Sequence, residues 1–329
     1  MTVPFIVAEI SSNHMGDKHK AIDLIMAAKT AGADAVKFQL YRPEEIAADV
    51  EIHSGPWKGR RYRDLYTEGQ TPADWMPELF EFARSIGIVP FASPFSELAV
   101  DQLEMWDCPI YKIASPEITH HRLIAHAART GKPLIISTGM AELDEIFRVD
   151  EIARANGATD ITYLHCISAY PAESKDFNLA TMVRLRDNAF NVGLSDHSLS
   201  SMAAVCAVAL GAIIVEKHFT LEDHGEGLDD KFSIGPHEFA EMAYLCRAAA
   251  KAVGEVKFGC REAEKDSFQY RRSIWVVRDV KAGQVITDAD IAILRPNYGA
   301  HPANFDTFVG MTARFDLKAN TPLFGNDLK

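Results

Sequence analysis

Two short apolar runs of this chain each lead into a histidine. The first ends in Leu194-Ser195-Asp196-His197 and the second in Val215-Glu216-Lys217-His218. An Ala- and Val-rich helical segment lies between them, which predicts a strand–helix–strand unit with a histidine at the tip of both strands. Paired imidazoles near carboxylates, without a thiolate, suit a divalent ion such as Mn, Co or Zn with open positions for water or substrate. The alternative is a structural or acid–base role for each histidine.

Two lysines lie inside other apolar runs, Lys37 in AVKFQ and Lys112 in YKIAS. A buried lysine is costly unless it is paired, so two lysines with several hydroxyls predict a bound anion, either a phosphate or a carboxylate. Glu9 and Glu117 are candidate acid–base or substrate-binding carboxylates, and either could instead neutralise a lysine. Their spacing does not say which one is the base. The other polar residues at the ends of apolar runs include Gln39, Ser93, Ser115, Ser137, Thr138, His165, Ser168, Ser195 and Glu216.

Eight apolar runs must position these side chains, and they alternate with helical patterns. Near-continuous apolar runs are typical of parallel strands buried on both faces. Eight strand–helix units in series predict a (β/α)8 TIM barrel, with an open doubly wound sheet as the alternative. In such barrels the chemistry lies at the carboxyl ends of the strands. The segment beginning Thr71-Pro72 predicts a helix start, with Thr as N-cap and Pro in the first turn. The strands are expected at 5–9, 35–39, 88–93, 110–115, 134–138, 161–166, 192–195 and 212–218.

The chain divides into three predicted parts. The barrel spans 1–258, a polar linker follows at 259–272, and a small, mainly β module occupies 273–329. The segment 41–70 is too long for a plain strand–helix connection, which makes it a candidate lid or binding loop. The alternative is a solvated excursion.

Composition excludes several classes of protein. The chain has 329 residues, 47% hydrophobic content and a net charge of −12. An acidic surface argues against a non-specific nucleic-acid binder or a basic membrane-surface protein. The five cysteines are odd in number and show no CxxC spacing, so we expect reduced thiols and a cytoplasmic location. No apolar run is long enough to predict a membrane span, and the first residues do not resemble a signal peptide.

The motifs AEISSNHMGD, GADAVKFQ, IISTGM, GLSDHS and EKHFTL resemble the sialic acid synthase family. Members of this family are phosphoenolpyruvate-dependent synthases of nine-carbon keto sugar acids. The runs RRSIWVVRDVKAG and ILRP are similar to the antifreeze-like (SAF) domain that ends these synthases. Within the family, SGPWKGRRYRDLY, TPADW and SAYPA are most similar to the members that form pseudaminic acid. N-acetylneuraminate synthases, which use N-acetylmannosamine, and legionaminic acid synthases are the alternatives.

The resemblance implies a reaction, a cofactor and an assembly. Phosphoenolpyruvate would condense with an open-chain N-acylated hexosamine, a 2,4-diacetamido-trideoxy hexose, and release phosphate. The implied cofactor is a divalent metal, Mn, with Mg or Co as alternatives. The implied assembly is a domain-swapped homodimer, without a nucleic-acid or membrane partner.

The resemblance also assigns roles to individual residues. His197 and His218 match the metal ligands, and with Glu9 and Glu117 they form the implied catalytic set. The phosphoenolpyruvate-binding positions are Lys37, Ser93, Lys112, Ser115, Ser137 and Ser195. The sugar-binding positions are Ser168, Tyr170, Asp229 and Arg295, the last of which is implied to reach the N-acyl group across the dimer.

The chain departs from its relatives at two places. Ser168 stands where N-acetylneuraminate synthases carry Asn, and the loop 222–228 follows neither subgroup's pattern. Because this loop follows His218, we expect it to help select the sugar. Two other hypotheses remain: an aldolase that forms a Schiff base on Lys112 or Lys37, and a sugar-binding protein without turnover.

Overall fold

The computed structural model describes residues 3–55, 57–221, 225 and 227–329. The chain forms two compact units, Met1–Glu255 and Val256–Lys329. The segment 259–272, predicted as a linker, groups with the second unit and contains two short 3-10 helices, at Glu262–Glu264 and Asp266–Tyr270.

Eight parallel strands close into a barrel in the first unit, which confirms the predicted TIM barrel. Each strand pairs with the next along the chain, and the last pairs with the first. Their interior and helix-facing side chains are almost all buried, as near-continuous apolar runs require. The strands are β1 Phe5–Glu9, β2 Ala35–Leu40, β3 Val89–Pro94, β4 Tyr111–Ile113, β5 Leu134–Ser137, β6 Ile161–Cys166, β7 Asn191–Asp196 and β8 Ile214–His218.

Helices follow the strands, and capping residues and glycines mark where they begin and end. Asp17 caps the first long helix by accepting from the His19 amide at 2.8 Å, and Gly32, with φ of 88°, follows its end. The helices of this unit are α1 Lys18–Thr30, α2 Pro43–Ile46, α3 Tyr62–Gly69, α4 Met76–Ser85, α5 Glu97–Met105, α6 His121–Arg129, α7 Leu143–Ala155, α8 Ala180–Asp187, α9 Met202–Ala209 and α10 Pro236–Val253.

The predicted helix start at Thr71-Pro72 was wrong. α4 begins at Met76, after a 3-10 turn over Ala73–Trp75. Thr71 is buried, and its hydroxyl lies 3.1 Å from His14 Nε2. The side chain that resembled a cap therefore bonds to the loop after β1 instead of to the helix.

The connection between β2 and β3 contains α2 and α3 before it reaches α4. Tyr41, at its start, packs edge-on against Tyr66 of α3 and against Phe95, with ring centroids 5.5 and 5.4 Å apart. This packing anchors α3 at the carboxyl side of the barrel strands. Pro56 lies outside the described residues.

The second unit has its own small core around an antiparallel sheet. β9 Ser273–Val276 pairs with β10 Ile291–Leu294 on one side and with β11 Thr321–Pro322 on the other. A short helix, α11, spans Phe305–Phe308. Ile274, Val280 and Leu323 are among the buried residues of this core. Among the described residues of the whole chain, no helix is long and apolar enough to cross a membrane.

Candidate active site

Strand alternation brings Glu9, Lys37 and His218 to the inside of the barrel. The register pairs Glu9 of β1 with Lys37 of β2 on one side and with His218 of β8 on the other. Ser195 of β7 is paired with Glu216 of β8. Because side chains two apart on a strand share a face, Glu216 and His218 point the same way. One carboxyl-end rim therefore carries both the lysines and the histidines.

A connected polar network surrounds the two lysines. Lys37 Nζ lies 2.9 Å from Glu9 Oε2, 3.2 Å from Glu216 Oε1 and 3.5 Å from Ser93 Oγ. Lys112 Nζ donates to Ser137 Oγ at 2.6 Å and lies 3.9 Å from the same Glu216 oxygen. The two ammonium groups thus share one carboxylate. The network unites five of the six predicted phosphoenolpyruvate-binding positions, namely Lys37, Ser93, Lys112, Ser137 and Ser195, whose hydroxyl donates to Glu216 at 2.9 Å.

The pKa values of the two carboxyl groups of this network are shifted in opposite directions. Burial raises the pKa of Glu9, and the opposing effect of Lys37 does not cancel it. Burial also acts to raise the pKa of Glu216, but Lys112 and Lys37 more than offset this and lower it to about 2. Of the two carboxyls that share Lys37, Glu216 is therefore stabilised as the carboxylate, whereas burial shifts Glu9 toward its protonated form. Burial lowers the pKa of Lys112 to about 8.

The two histidines lie side by side, as the strand–helix–strand pattern predicted. Their ring centroids are 5.3 Å apart, and Tyr170 packs on His197 at 4.4 Å. Phe232 packs against both Tyr170 and His218. His197 Nδ1 donates to the carbonyl oxygen of Ile167 at 2.9 Å, which leaves Nε2 as the ring nitrogen that could bind a metal ion.

This pair fits a divalent ion. His218 Nδ1 is buried and, within the described part of the chain, has no hydrogen-bond partner. Burial and the charge of His197 hold the pKa of His218 well below its ordinary value, so its imidazole is neutral, as metal binding requires. The described residues contain no group of three or more His, Cys, Asp or Glu arranged around one point. Water or substrate oxygens would therefore complete the coordination of an ion held by His197 and His218.

The predicted sugar-side residue Asp229 joins the network from the loop after β8. It accepts from the Ser11 hydroxyl and, at 3.1 Å, from the Ser12 hydroxyl. Gln39 Nε2 links Ser11 Oγ, at 3.0 Å, to Glu9 Oε1, at 3.2 Å. Asp229 is therefore coupled to the lysine network through two hydrogen-bonded residues. The neighbouring residues 222–224 and 226, in the loop expected to select the sugar, lie outside the described residues.

Glu117 and three small residues lie at the ends of β4, β5 and β6. Ser115 Oγ accepts from the Gly139 amide at 3.0 Å. A Cβ on Gly139 would lie 2.5 Å from Ser168 Oγ and 2.8 Å from Ser115 Oγ, so only glycine allows these hydroxyls to approach. Burial raises the pKa of Glu117 to about 7. Its Oε2 atom is buried and has no hydrogen-bond partner among the described residues.

Several residues fall outside this arrangement. Both ring nitrogens of His14 are hydrogen-bonded, to Thr71 and to the Gly16 amide, and burial lowers its pKa to about 4. His165 bonds to the Phe177 carbonyl. Arg295 is an exposed residue of the second unit.

The residue that sequence reasoning undervalued is Glu216, which appeared only as one of many polar residues at strand ends. Its spacing of two from His218 was the available signal. Cys166, whose Sγ lies 3.7 Å from His197 Nδ1, was likewise treated only as a reduced thiol.

An eight-stranded barrel with this rim, followed by a small β unit, defines a class of synthase, and the chain belongs to the NeuB family. The NeuB family model matches residues 24–258, and the SAF domain model matches residues 271–329. The resemblance read from the motifs is thereby confirmed.

The similar proteins narrow the class. The chain is 38% identical to the pseudaminic acid synthase of Campylobacter jejuni subsp. jejuni serotype O:23/36 (strain 81-176), covering 99% of this chain and 95% of that one. It is 39% identical to the pseudaminic acid synthase of Helicobacter pylori (strain ATCC 700392 / 26695), over 99% and 98%. The crystal structure of N-acetylneuraminic acid synthetase from Leptospira borgpetersenii serovar Hardjo-bovis superposes with a TM-score of 0.74 at 32% identity, over 82% of this chain and 92% of that one.

Proposed function

We propose that this chain condenses phosphoenolpyruvate with the open-chain form of a 2,4-diacetamido-trideoxy hexose. The products are a nine-carbon 2-keto sugar acid of the pseudaminic acid type and phosphate. The observation that carries the proposal is the buried pair Lys37 and Lys112, bridged by one carboxylate and placed next to two imidazoles. Full-length similarity to pseudaminic acid synthases supports the choice of sugar.

The lysine network accounts for binding of the anionic substrate. Phosphoenolpyruvate carries a charge of about −3, and ammonium and hydroxyl groups bind such an anion with short, charge-assisted hydrogen bonds. Lys37 and Lys112 supply two ammonium groups, and Glu216 supplies the carboxylate that they share. Ser93, Ser137 and Ser195 provide hydroxyls to the same space, and Ser115 adds another beside Gly139.

The carboxyls account for the proton transfers. C3 of phosphoenolpyruvate forms a bond to the aldehyde carbon, and the protonated form of Glu9, which burial favours, gives its proton to the aldehyde oxygen. Water adds to C2, and the Glu117 carboxylate takes one proton from it. The C2–O bond to phosphate then breaks, and the proton of the new hydroxyl leaves with the phosphate, so that C2 becomes a ketone.

His197 and His218 are the proposed ligands of a divalent ion, Mn, with Mg or Co as alternatives, and the ion would act as a Lewis acid on the aldehyde oxygen. Tyr170 and Phe232 restrict the orientation of the two imidazoles by packing against them. Asp229 and Ser168 are the proposed contacts of the sugar hydroxyl and amide groups.

The same proposal includes the assembly. By its resemblance to the family, the chain would form a domain-swapped homodimer. In this dimer the SAF-domain arginine, here Arg295, would reach the N-acyl group of the acceptor. We also propose a cytoplasmic location, in keeping with the five unpaired cysteines.

Phosphate release from phosphoenolpyruvate tests the proposal. The acceptor panel should contain N-acetylmannosamine and the stereoisomeric 2,4-diacetamido-trideoxy hexoses, each with Mn²⁺ and with EDTA. We expect Mn²⁺-dependent release with a diacetamido hexose. Release only with N-acetylmannosamine would support the N-acetylneuraminate synthase alternative. Release that EDTA does not reduce would contradict the metal site, and no release with any acceptor would contradict the synthase.

A second candidate, an aldolase, is favoured by one observation, the lowered pKa of Lys112, which makes its amine a better nucleophile. A Schiff base on Lys112 or Lys37 would be trapped by borohydride in the presence of pyruvate or product. Absence of a labelled lysine under conditions of turnover would exclude this candidate.

A further inference from the structure

A buried ion pair lies directly behind the two histidines. Asp196 precedes His197, Lys217 precedes His218, and the two residues are register partners on β7 and β8. Because consecutive strand residues point to opposite faces, both side chains point away from the barrel interior. Their charged atoms are 2.8 Å apart, and both side chains are fully buried. Cys246 of α10 is close enough to Lys217 to affect the pKa of the lysine. The ion pair therefore lies between the strands and the helix layer.

The ammonium group of Lys217 binds the turn that follows His197. Besides Asp196, it donates to the carbonyl of Ser198, to Ser198 Oγ at 3.2 Å and to the carbonyl of Ser200 at 3.1 Å. Asp196 Oδ1 accepts from the Ser198 amide at 2.8 Å. Lys217, the neighbour of His218, therefore holds the backbone that follows His197.

Stability alone is a weak reason for such an arrangement. A buried ion pair is often no more stabilising than apolar residues of the same volume, because both charges lose their hydration. An apolar pair would not hold the 198–200 turn, however, since this turn offers only polar groups to Lys217. The ion pair therefore fixes the position of the 198–200 turn more than it stabilises the fold.

We infer that Asp196 and Lys217 are positioning residues that fix His197 relative to His218 and so set the affinity of the histidine pair for a divalent ion. The inference rests on the metal site of the proposed function. From the inner side, His197 is already held by the Ile167 carbonyl and by its own carbonyl, which accepts from the Ala172 amide at 3.1 Å. The ion pair supplies the outer half of this support. Metal ligands need such support because an ion tolerates only small departures from its preferred distances.

The test compares Lys217→Met and Asp196→Asn with the unaltered chain. Mn²⁺ affinity is measured directly, by the electron paramagnetic resonance signal of free Mn²⁺, without substrates. Loss of a residue that orients a metal ligand weakens metal affinity about 10- to 100-fold, and we expect a change of this size. In the metal-free protein, hydrogen exchange of the amides at 198–202 should become faster in both variants.

Arg247→Met is the matched control. It breaks the Arg247–Asp34 ion pair, 3.0 Å long, which joins α10 to the amino end of β2. This variant should lose stability but keep the Mn²⁺ affinity and the exchange rates at 198–202. If Lys217→Met does not fold, Ser198→Ala removes three hydrogen bonds, two within the same turn and one from Lys217, and leaves the ion pair in place. A smaller loss of Mn²⁺ affinity is expected.

Unchanged Mn²⁺ affinity in the folded Asp196, Lys217 or Ser198 variants would overturn the inference and leave the metal site intact. An equal loss in the Arg247 variant would also overturn it, because the effect would then follow from stability alone. If the unaltered chain binds no Mn²⁺, the proposed metal site fails, and this inference fails with it.

Discussion

At the residue scale, Glu216 links the two buried lysines. It is shared by Lys37 and Lys112 and accepts from Ser195, so a single carboxylate keeps two buried cations in place before an anion arrives. Removal of a partner from such a buried network leaves an uncompensated charge. The carboxyl groups around it consequently divide their roles, because Glu216 stays ionised while burial raises the pKa of Glu9 and Glu117.

Glu117 provides a prediction about pH. Burial raises its pKa to about 7, so the carboxylate, which is the form that can take a proton from water, predominates only above that pH. We expect kcat to rise with pH through about 7 and then level off. Glu117→Gln should lower kcat by about 10²- to 10⁴-fold and remove this rise. Initial rates of phosphate release across the pH range measure both effects.

The conservative Glu117→Asp variant is the control, because it keeps a carboxyl group and should keep a rising pH profile at a lower rate. A Glu117→Gln enzyme that retained the same rise would show that another group, with Glu9 the first candidate, is the base.

At the scale of elements, α3 gives the long β2–β3 connection a defined place. Leu65 and Gly69, four residues apart, form its buried face, and Tyr66 packs on Tyr41. Burial raises the pKa of Tyr66, and the nearby charges of Glu117 and Asp229 raise it further. Their proximity places α3 beside the proposed sugar contacts. The helix thus lies beside the proposed site, and the role of the segment 41–70, a lid or binding loop or else a solvated excursion, stays a prediction.

Gly69 tests the role of this helix. A Cβ there would lie 3.2 Å from Leu228 Cδ1 and 3.3 Å from Ser12 Cβ, so Gly69→Val would push α3 away from the residues that hold Asp229. Overpacking of this kind costs about 1–3 kcal/mol, and a shift that weakened acceptor binding by 1.4 kcal/mol would raise the acceptor KM about tenfold. Steady-state kinetics should show this increase while the KM for phosphoenolpyruvate is unchanged.

Thr67→Val is the matched control, because it places the same valine side chain on the exposed side of the same helix. If both KM values rose together in Gly69→Val, α3 would have a general structural role and no specific part in acceptor binding.

At the scale of the whole molecule, the chain consists of two units with separate cores. The larger unit supplies the proposed lysine network and histidine pair. The smaller one presents Arg295 just after β10, exposed and, among the described residues, without a hydrogen bond or ion pair of its own. In the proposed function, this guanidinium would bind the carbonyl oxygen of the acceptor's N-acyl group.

Arg295→Ala should therefore affect the acceptor and spare phosphoenolpyruvate. A hydrogen bond from a charged group contributes about 1.5–3 kcal/mol, which corresponds to roughly a 10- to 100-fold loss of kcat/KM for the acceptor. Arg278→Ala, at another exposed arginine of the same unit, is the control and should behave as the unaltered chain. Equal losses for both substrates would contradict the proposed role of Arg295.

The sequence by itself determined the barrel and the composition of its rim. Eight buried runs alternating with helices allow few arrangements, and parallel strands place their carboxyl ends at one edge, so Lys37, Lys112, His197 and His218 had to lie near one another. The family motifs added the class of reaction.

Only the tertiary structure decided how these groups pair. The resemblance of Thr71 to a helix cap was overridden by its hydrogen bond to His14, which is distant along the chain. The register of β8 against β1 and β7 decided that Glu216 joins the lysines inside the barrel while Lys217, one residue further, bonds to Asp196 outside it. A one-residue step reverses the face of a strand, and barrel closure selects the register through contacts between distant segments, which local sequence patterns do not encode.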